Sequence, residues 1–309
     1  MPQAGFPTRP DWHYCHIAYT TLTDNYFIAI CGVGRRFQAT QIGPEGPLAD
    51  GLGRMAMAGH IIVSDESATR TIVMRRPEKK NALTPDMFLA MSEAINSAQS
   101  NPDIRCIILT GRSGVFTAGD DVGDFVKEAA TKREEARPRN SLAFVRSLIT
   151  NKKPIIAAVD GVAVGMGVTM VLHCDYVIAS TTASFRSPFI QYGLVPEGAS
   201  SLLLPRMAGH QQAFSLLVMG RSMSAEEARE AGFVNAVVPP GHAIIEAQKV
   251  AREITELPAE AVAISRKLLK LPTEDLLRRM DDEEHLFQER IHAPSVVAAV
   301  KGFMARKKR

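Results

Sequence analysis

Two short runs without a polar residue constrain the fold of this chain most tightly: CIIL at 106–109 and PIIAAV at 154–159. A strand sends alternate side chains to opposite faces, so a strand with no polar alternate needs both faces covered. That predicts parallel strands inside an α/β sheet flanked by helices. HIIV at 60–63 and TIVMR at 71–75 read as a β pair separated by the polar turn DESAT. Thr84 can cap a helix that opens with Pro85, and Asp86 suits its first turn. The apolar spacing continues that helix through MFLAMSEAINSAQ at 87–99, and beyond Pro258 the chain reads as helices to its end.

The pattern turns orderly only near residue 57. The first 56 residues hold the only tryptophan, Trp12, and no lysine, and are punctuated by Pro2, Pro7, Pro10, Pro44 and Pro47. They show no sustained period, so residues 1–56 are expected to be a poorly ordered extension, a translated leader being one origin. Residues 57–255 then form the core and 256–309 a helical C-terminal region.

Composition excludes several classes. A net charge of +3 is too small to point to nucleic acid, and the longest apolar run, FIAICGV at 27–33, has a strand's length rather than a membrane span's. The N-terminus lacks the pattern of a secretory signal. Four cysteines without paired or metal-ligand spacing suit reduced thiols in a cytosol-like compartment. The terminal ARKKR, in place of a peroxisomal signal, agrees with a cytoplasmic setting. Residues 127–140, charged and small, read as a solvated segment rather than a binding patch.

Two segments have the form strand, glycine turn, helix: FTAGDDVGDF at 116–125 and DGVAVGMGVTMVLHCD at 160–175. Glycine lets a backbone approach a ligand closely, and a helix N-terminus presents free N–H groups. Two such turns could hold one developing oxyanion between two donors. Gly165-Met166-Gly167 opens like a dinucleotide fingerprint, but Met170 stands where its third glycine belongs. Either turn alone is equally compatible with close packing and no ligand.

Taken in order, RRPEKKNALTPDM at 75–87, VFTAGDDV at 115–122, KPIIAAVDGVAVGMGVTMVLHCDYVIAS at 153–180, FRSPFIQYGLVPEGASSLLLPRMAG at 185–209 and SAEEAREAGFVNAVVP at 224–239 resemble the crotonase (enoyl-CoA hydratase/isomerase) superfamily. The resemblance implies a ClpP/crotonase-like spiral of ββα units, a C-terminal helical region that trimerises, and a homotrimer or dimer of trimers. It also implies that the backbone N–H groups of Asp120 and Met166 hold a thioester carbonyl. Coenzyme A, carried by the substrate, would lie along Lys80, Asn81, Ala82, Leu83 and Ala118, with Phe303 and Arg306 reaching its far end. No separate cofactor, metal, nucleic acid or membrane is expected.

The family's hydratases use two glutamates, and the matching positions here are Thr169 and Phe189. Neither can act as a carboxylate base, which disfavours ordinary hydration. Moving a double bond from position 3 to position 2 needs one base serving two carbons on one face of an enolate. Glu197, in LVPEGASS at 194–201, resembles the base of the peroxisomal-type Δ3,Δ2-enoyl-CoA isomerases. Proline followed by glutamate is also an ordinary helix opening, in which the carboxylate merely meets the helix dipole. Asp120 and Asp121 are the rival carboxylates, Asp121 being expected to cap a helix and Asp120 to act through its backbone. His173 and His210 invite a base reading but are expected to be packed or hydrogen-bonded, and Tyr192 and Ser200 read equally as groups that orient a ligand or as capping or surface groups. Other enolate reactions (hydrolysis, decarboxylation, a degenerate hydratase) and non-catalytic acyl-CoA binding are the alternatives.

Overall fold

The structure, a computed structural model, describes residues 27–31, 38–42, 55–112, 114–121, 123, 139–294 and 296. The chain divides into two compact units, Met1–Leu52 and Gly53–Arg309. In the first, β1 (Phe27–Cys31) pairs antiparallel with β2 (Gln38–Ile42). Ile28, Ile30 and Thr40 are β-branched residues that suit a ladder despite the surrounding prolines.

The second unit holds a sheet of seven strands. β3 (Met55–Ala58), β4 (Ile61–Glu66) and β5 (Thr69–Met74) are antiparallel neighbours at one side. β5 then runs parallel to β6 (Cys106–Gly111), followed in space by β7 (Ile155–Val159), β9 (Tyr176–Ser180) and β12 (Ala236–Val238). A smaller sheet is formed by β8 (Val162–Val164), β10 (Ser184–Arg186) and β11 (Met223–Ser224). The ordered sheet therefore begins with β3, two residues ahead of the expected start.

The apolar runs are covered on both faces, as their composition requires. Ile107, Leu109, Ile155 and Ala157 belong to one core with Met87, Met91 and Ile95 of helix α1 (Pro85–Ser100) and Phe144 and Leu148 of α2 (Asn140–Thr150). Cys106, Ile108, Ile156 and Ala158 face the other core, against Ala243, Ala247 and Val250 of α6 (Ala243–Glu256), which lies in the chain between α5 (Ala225–Glu230) and α7 (Ala259–Leu269).

Thr84 caps α1 as expected, its hydroxyl accepting the Met87 N–H at 3.3 Å. The β4–β5 turn is tighter than the five-residue DESAT. Glu66 pairs with Thr69, leaving Ser67 and Ala68 as a two-residue turn with φ of 47° and 61°. Two left-handed residues match the twist of the flanking strands. The Asp65–Arg70 ion pair at 2.6 Å ties the strands just beyond it. No described helix is long and apolar enough to cross a membrane.

Candidate active site

The two glycine turns lie side by side. Thr117 donates its N–H to Val162 at 2.9 Å and accepts that of Val164 at 3.0 Å, so residues 115–117 run parallel to β8. Both chains then leave through glycine: Gly119 has φ +82° and Gly165 has φ +55°. A Cβ on Gly119 would stand 2.5 Å from the Val164 carbonyl oxygen and 3.7 Å from the Met166 nitrogen. Only glycine allows this approach, which brings the Asp120 and Met166 turns to one place. Met166 is the first residue of α3 (Met166–Leu172), so its N–H has no intrahelical carbonyl to meet.

Residues 80–83 form the next strip. Ala118 donates to the Lys80 carbonyl at 2.9 Å, Leu83 to Gly119 at 2.8 Å, and Asp121 to Leu83 at 2.9 Å. Lys80 is exposed and Ala82 half-buried, whereas Asn81 and Leu83 are buried. The Asn81 amide accepts the Arg76 N–H at 2.8 Å and donates to the carbonyls of Val115 at 2.7 Å and Arg112 at 3.1 Å. Its side chain thus builds the loop, leaving backbone for ligand contact. Asp121 meets the Gly123 N–H at 2.8 Å, as a cap would, and Arg76 at 2.6 Å. Partial burial opposes ionisation, but Arg76 and Gly123 hold its carboxyl below the usual range. Phe303 and Arg306 lie outside the described residues.

Glu197 does not open a helix. α4 (Ser200–Ala213) begins three residues later, after Gly198 and Ala199 at φ +67° and +62°. The helix-opening alternative is corrected for this reason: Glu283, from α8 (Thr273–Ile291), caps instead. Its carboxylate accepts the Ala199 N–H at 2.5 Å, the Ser201 N–H at 3.0 Å and the Ser201 hydroxyl. Glu197 is 1% exposed. Its Oε2 lies 2.6 Å from Arg139 Nη1, while its buried Oε1 has no hydrogen-bond partner. Burial pushes this carboxyl above the usual glutamate range, Arg139 pulls it down, and the nearby Asp120 carboxylate pushes it up again.

The surroundings of Glu197 are rigid. His173 donates from Nε2 to the Gly198 carbonyl at 2.8 Å, and burial pushes its imidazole down to about 4, leaving it neutral. It is a hydrogen-bonded core histidine, as expected, whereas His210 is exposed. A Cβ on Gly198 would lie 2.5 Å from Thr169 Cγ2. Phe189 packs against Gly165, its Cζ 3.8 Å from where a Cβ would be. Both positions matched to hydratase glutamates therefore border this site without a carboxylate. Ser200 is buried with its hydroxyl unpartnered, and Tyr192 is half-buried.

Sequence reasoning missed three residues here. Arg139 sits in the stretch read as solvated, yet its side chain is 6% exposed. It also meets Glu284 Oε2 at 3.2 Å and lies 4.2 Å over the Phe287 ring. Residues 127–138 of that stretch lie outside the described residues. Glu283 had a readable signal: it interrupts the buried stripe of Leu276, Met280, Phe287 and Ile291 at an apolar position. Glu284 had none.

The family model for enoyl-CoA hydratase/isomerase matches residues 64–309. Enoyl-CoA delta isomerase 2 of Rattus norvegicus is 30% identical over 318 residues, covering 99% of this chain and 80% of the rat protein. 1,2-Epoxyphenylacetyl-CoA isomerase of Escherichia coli is 31% identical over 235 residues, covering 75% of this chain and 90% of its own. A solved enoyl-CoA hydratase/isomerase from Pseudoalteromonas atlantica superimposes with a TM-score of 0.75 at 33% identity, across 80% of this chain and 97% of that one. The paired glycine turns are thus those of a crotonase fold, and the chain belongs to the enoyl-CoA hydratase/isomerase family, enzymes that bind acyl-CoA substrates.

Proposed function

We propose that the protein is a Δ3,Δ2-enoyl-CoA isomerase with Glu197 as its base. The observation that carries this reading is the state of Glu197: buried, excused from helix capping by Glu283, and left with one unpartnered oxygen. The other buried glutamate among the described residues, Glu283, is fully engaged by its donors.

In this reading Glu197 Oε1 takes a proton from C2 of a 3-enoyl thioester. The C2–H electron pair passes into an enolate whose oxygen is held by the N–H groups of Asp120 and Met166. The same Oε1–H then protonates C4, the thioester carbonyl re-forms, and no proton is gained or lost. Leu194, Val195 and Phe189, packed with Phe287 and Ile291, keep water from the carboxylate's side and strengthen it as a base. Thr169 and Phe189 place no carboxylate at either position matched to the hydratase glutamates, which separates this reading from hydration. The coenzyme A moiety is assigned to the strip 80–83 and Ala118, and to the tail residues Phe303 and Arg306. Trimeric self-association and a cytoplasmic setting belong to the same proposal.

The test is turnover of a 3-enoyl-CoA to its 2-enoyl isomer, wild type against Glu197→Gln, with 2-enoyl-CoA hydration followed in parallel. Isomerisation that drops about 100- to 10,000-fold in the variant, with acyl-CoA binding retained, supports the reading. Undiminished isomerisation sinks it. Hydration as the faster wild-type reaction would move the assignment to another enolate chemistry.

A further inference from the structure

A buried base does not ordinarily come tied to an arginine, and the tie here has two seats. The single nitrogen Nη1 of Arg139 lies 2.6 Å from Glu197 Oε2 and 3.2 Å from Glu284 Oε2. The guanidinium is stacked 4.2 Å over Phe287, one turn further along α8 than Glu283 and Glu284. We infer that Arg139 is a positioning residue for Glu197: it ties down Oε2, leaves Oε1 to exchange the proton, and passes to Glu284 when Glu197 becomes neutral. The inference rests on the reading of Glu197 as the base.

The second carboxylate is what makes the arrangement workable. During the reaction the C2–H bond breaks and the Oε1–H bond forms, and then Oε1–H breaks as C4–H forms. Arg139 keeps all its protons throughout. Between the two transfers Glu197 carries no charge, and a buried guanidinium keeps its place more readily with a carboxylate in contact. Glu284, already within contact, supplies that anion without movement of the backbone. The planar fork stacked on a ring keeps its place better than a flexible ammonium would.

Among the described residues the charges facing Glu197 come from three directions. Arg139 stands just ahead of α2, Asp120 on the first glycine turn, and Glu284 on α8. His173, at the end of α3, reaches only the Gly198 carbonyl and is neutral. Asp120 and Glu284 disfavour ionised Glu197 and Arg139 favours it. Activity needs the ionised form, so it is lost as pH falls through the Glu197 titration. Removing Arg139 raises that titration, and removing the Glu284 charge lowers it. A role confined to packing would not split the two variants in opposite directions.

The experiment uses the full chain and 3-hexenoyl-CoA, with kcat and KM measured from acid to alkaline pH. In Arg139→Gln the acid limb of kcat/KM moves to higher pH by about one to two units. There kcat falls about tenfold or more at neutral pH, with KM changed far less. Arg139→Lys, which keeps the charge, returns much of both. In Glu284→Gln the limb moves to lower pH. An unmoved limb in Arg139→Gln, or shifts of the same sign in both variants, overturns the inference. Should Arg139→Gln fail to fold, Glu284→Gln decides alone: a downward limb supports the role and an unmoved or upward one refutes it. Glu197→Gln separates the two levels. Full turnover there removes the base assignment itself, whereas lost turnover with a wild-type limb in Arg139→Gln removes only the role of Arg139.

Discussion

Glu283 accepts the Ala199 N–H at 2.5 Å, although the two residues are 84 positions apart in the chain. The helix after Glu197 is therefore capped from α8, and the 198–199 turn is held by a residue that is itself 5% exposed. Removing that carboxylate leaves buried N–H groups of Ala199 and Ser201 without an acceptor. Glu283→Ala is expected to destabilise the protein by about 2–4 kcal/mol, read as a lower urea midpoint, with Glu283→Gln losing less. A midpoint unchanged in both would mean that water or another group replaces the cap.

Gly198 is constrained twice, by φ of +67° and by Thr169 Cγ2 standing 2.5 Å from where a Cβ would sit. Gly198→Ala should cost about 2–4 kcal/mol and displace Glu197, lowering turnover at least tenfold. Adding Thr169→Ser removes the clashing methyl but not the backbone strain. The double variant should recover roughly half of the lost stability in urea unfolding, and no recovery would place the whole cost in φ.

His173 makes acid stability testable. Burial pushes its imidazole from 6.5 to about 4, so the unfolded chain takes up the proton first as pH falls. The contribution is complete above 6.5 and is lost through the window down to about 4. Within that window the wild type should lose about 1.4 kcal/mol per pH unit from this group. His173→Gln should show a shallower fall in urea midpoint over the same range, and parallel curves would exclude the assignment.

Asn81 separates loop building from ligand contact. A residue that only touched coenzyme A would raise KM and leave stability alone. Its buried amide instead joins Arg76, Arg112 and Val115, so Asn81→Ala should destabilise the protein by about 2–4 kcal/mol, read as a lower urea midpoint, while also raising KM. A KM effect without a stability effect would contradict this reading.

Much of the frame was legible because it rests on local rules. CIIL and PIIAAV declare two covered faces, and Thr84-Pro85-Asp86 declares a helix start, within a few residues each. The two glycine turns were readable in the same way, whereas the carboxylate at 197, with Thr169 and Phe189 in place of other acids, was legible only through the resemblance to the family. The DESAT turn was misjudged in length because register, set by pairing of Glu66 with Thr69, decides which residues turn.

What surrounds Glu197 was not legible, for a different reason. Burying a charge requires partners, and the chain recruits them by contact rather than by neighbourhood in sequence. Arg139 looks like any cation in a charged stretch until α2 and α8 close over it, and Glu283 stands out from the acids of its helix only by its place in the apolar stripe, which names no partner. By itself the sequence determined which strands are covered, where the glycine turns fall and that an acid stands at 197. Only the tertiary structure decided that this acid is neither cap nor surface charge, because desolvation and ion pairing depend on what is packed around it.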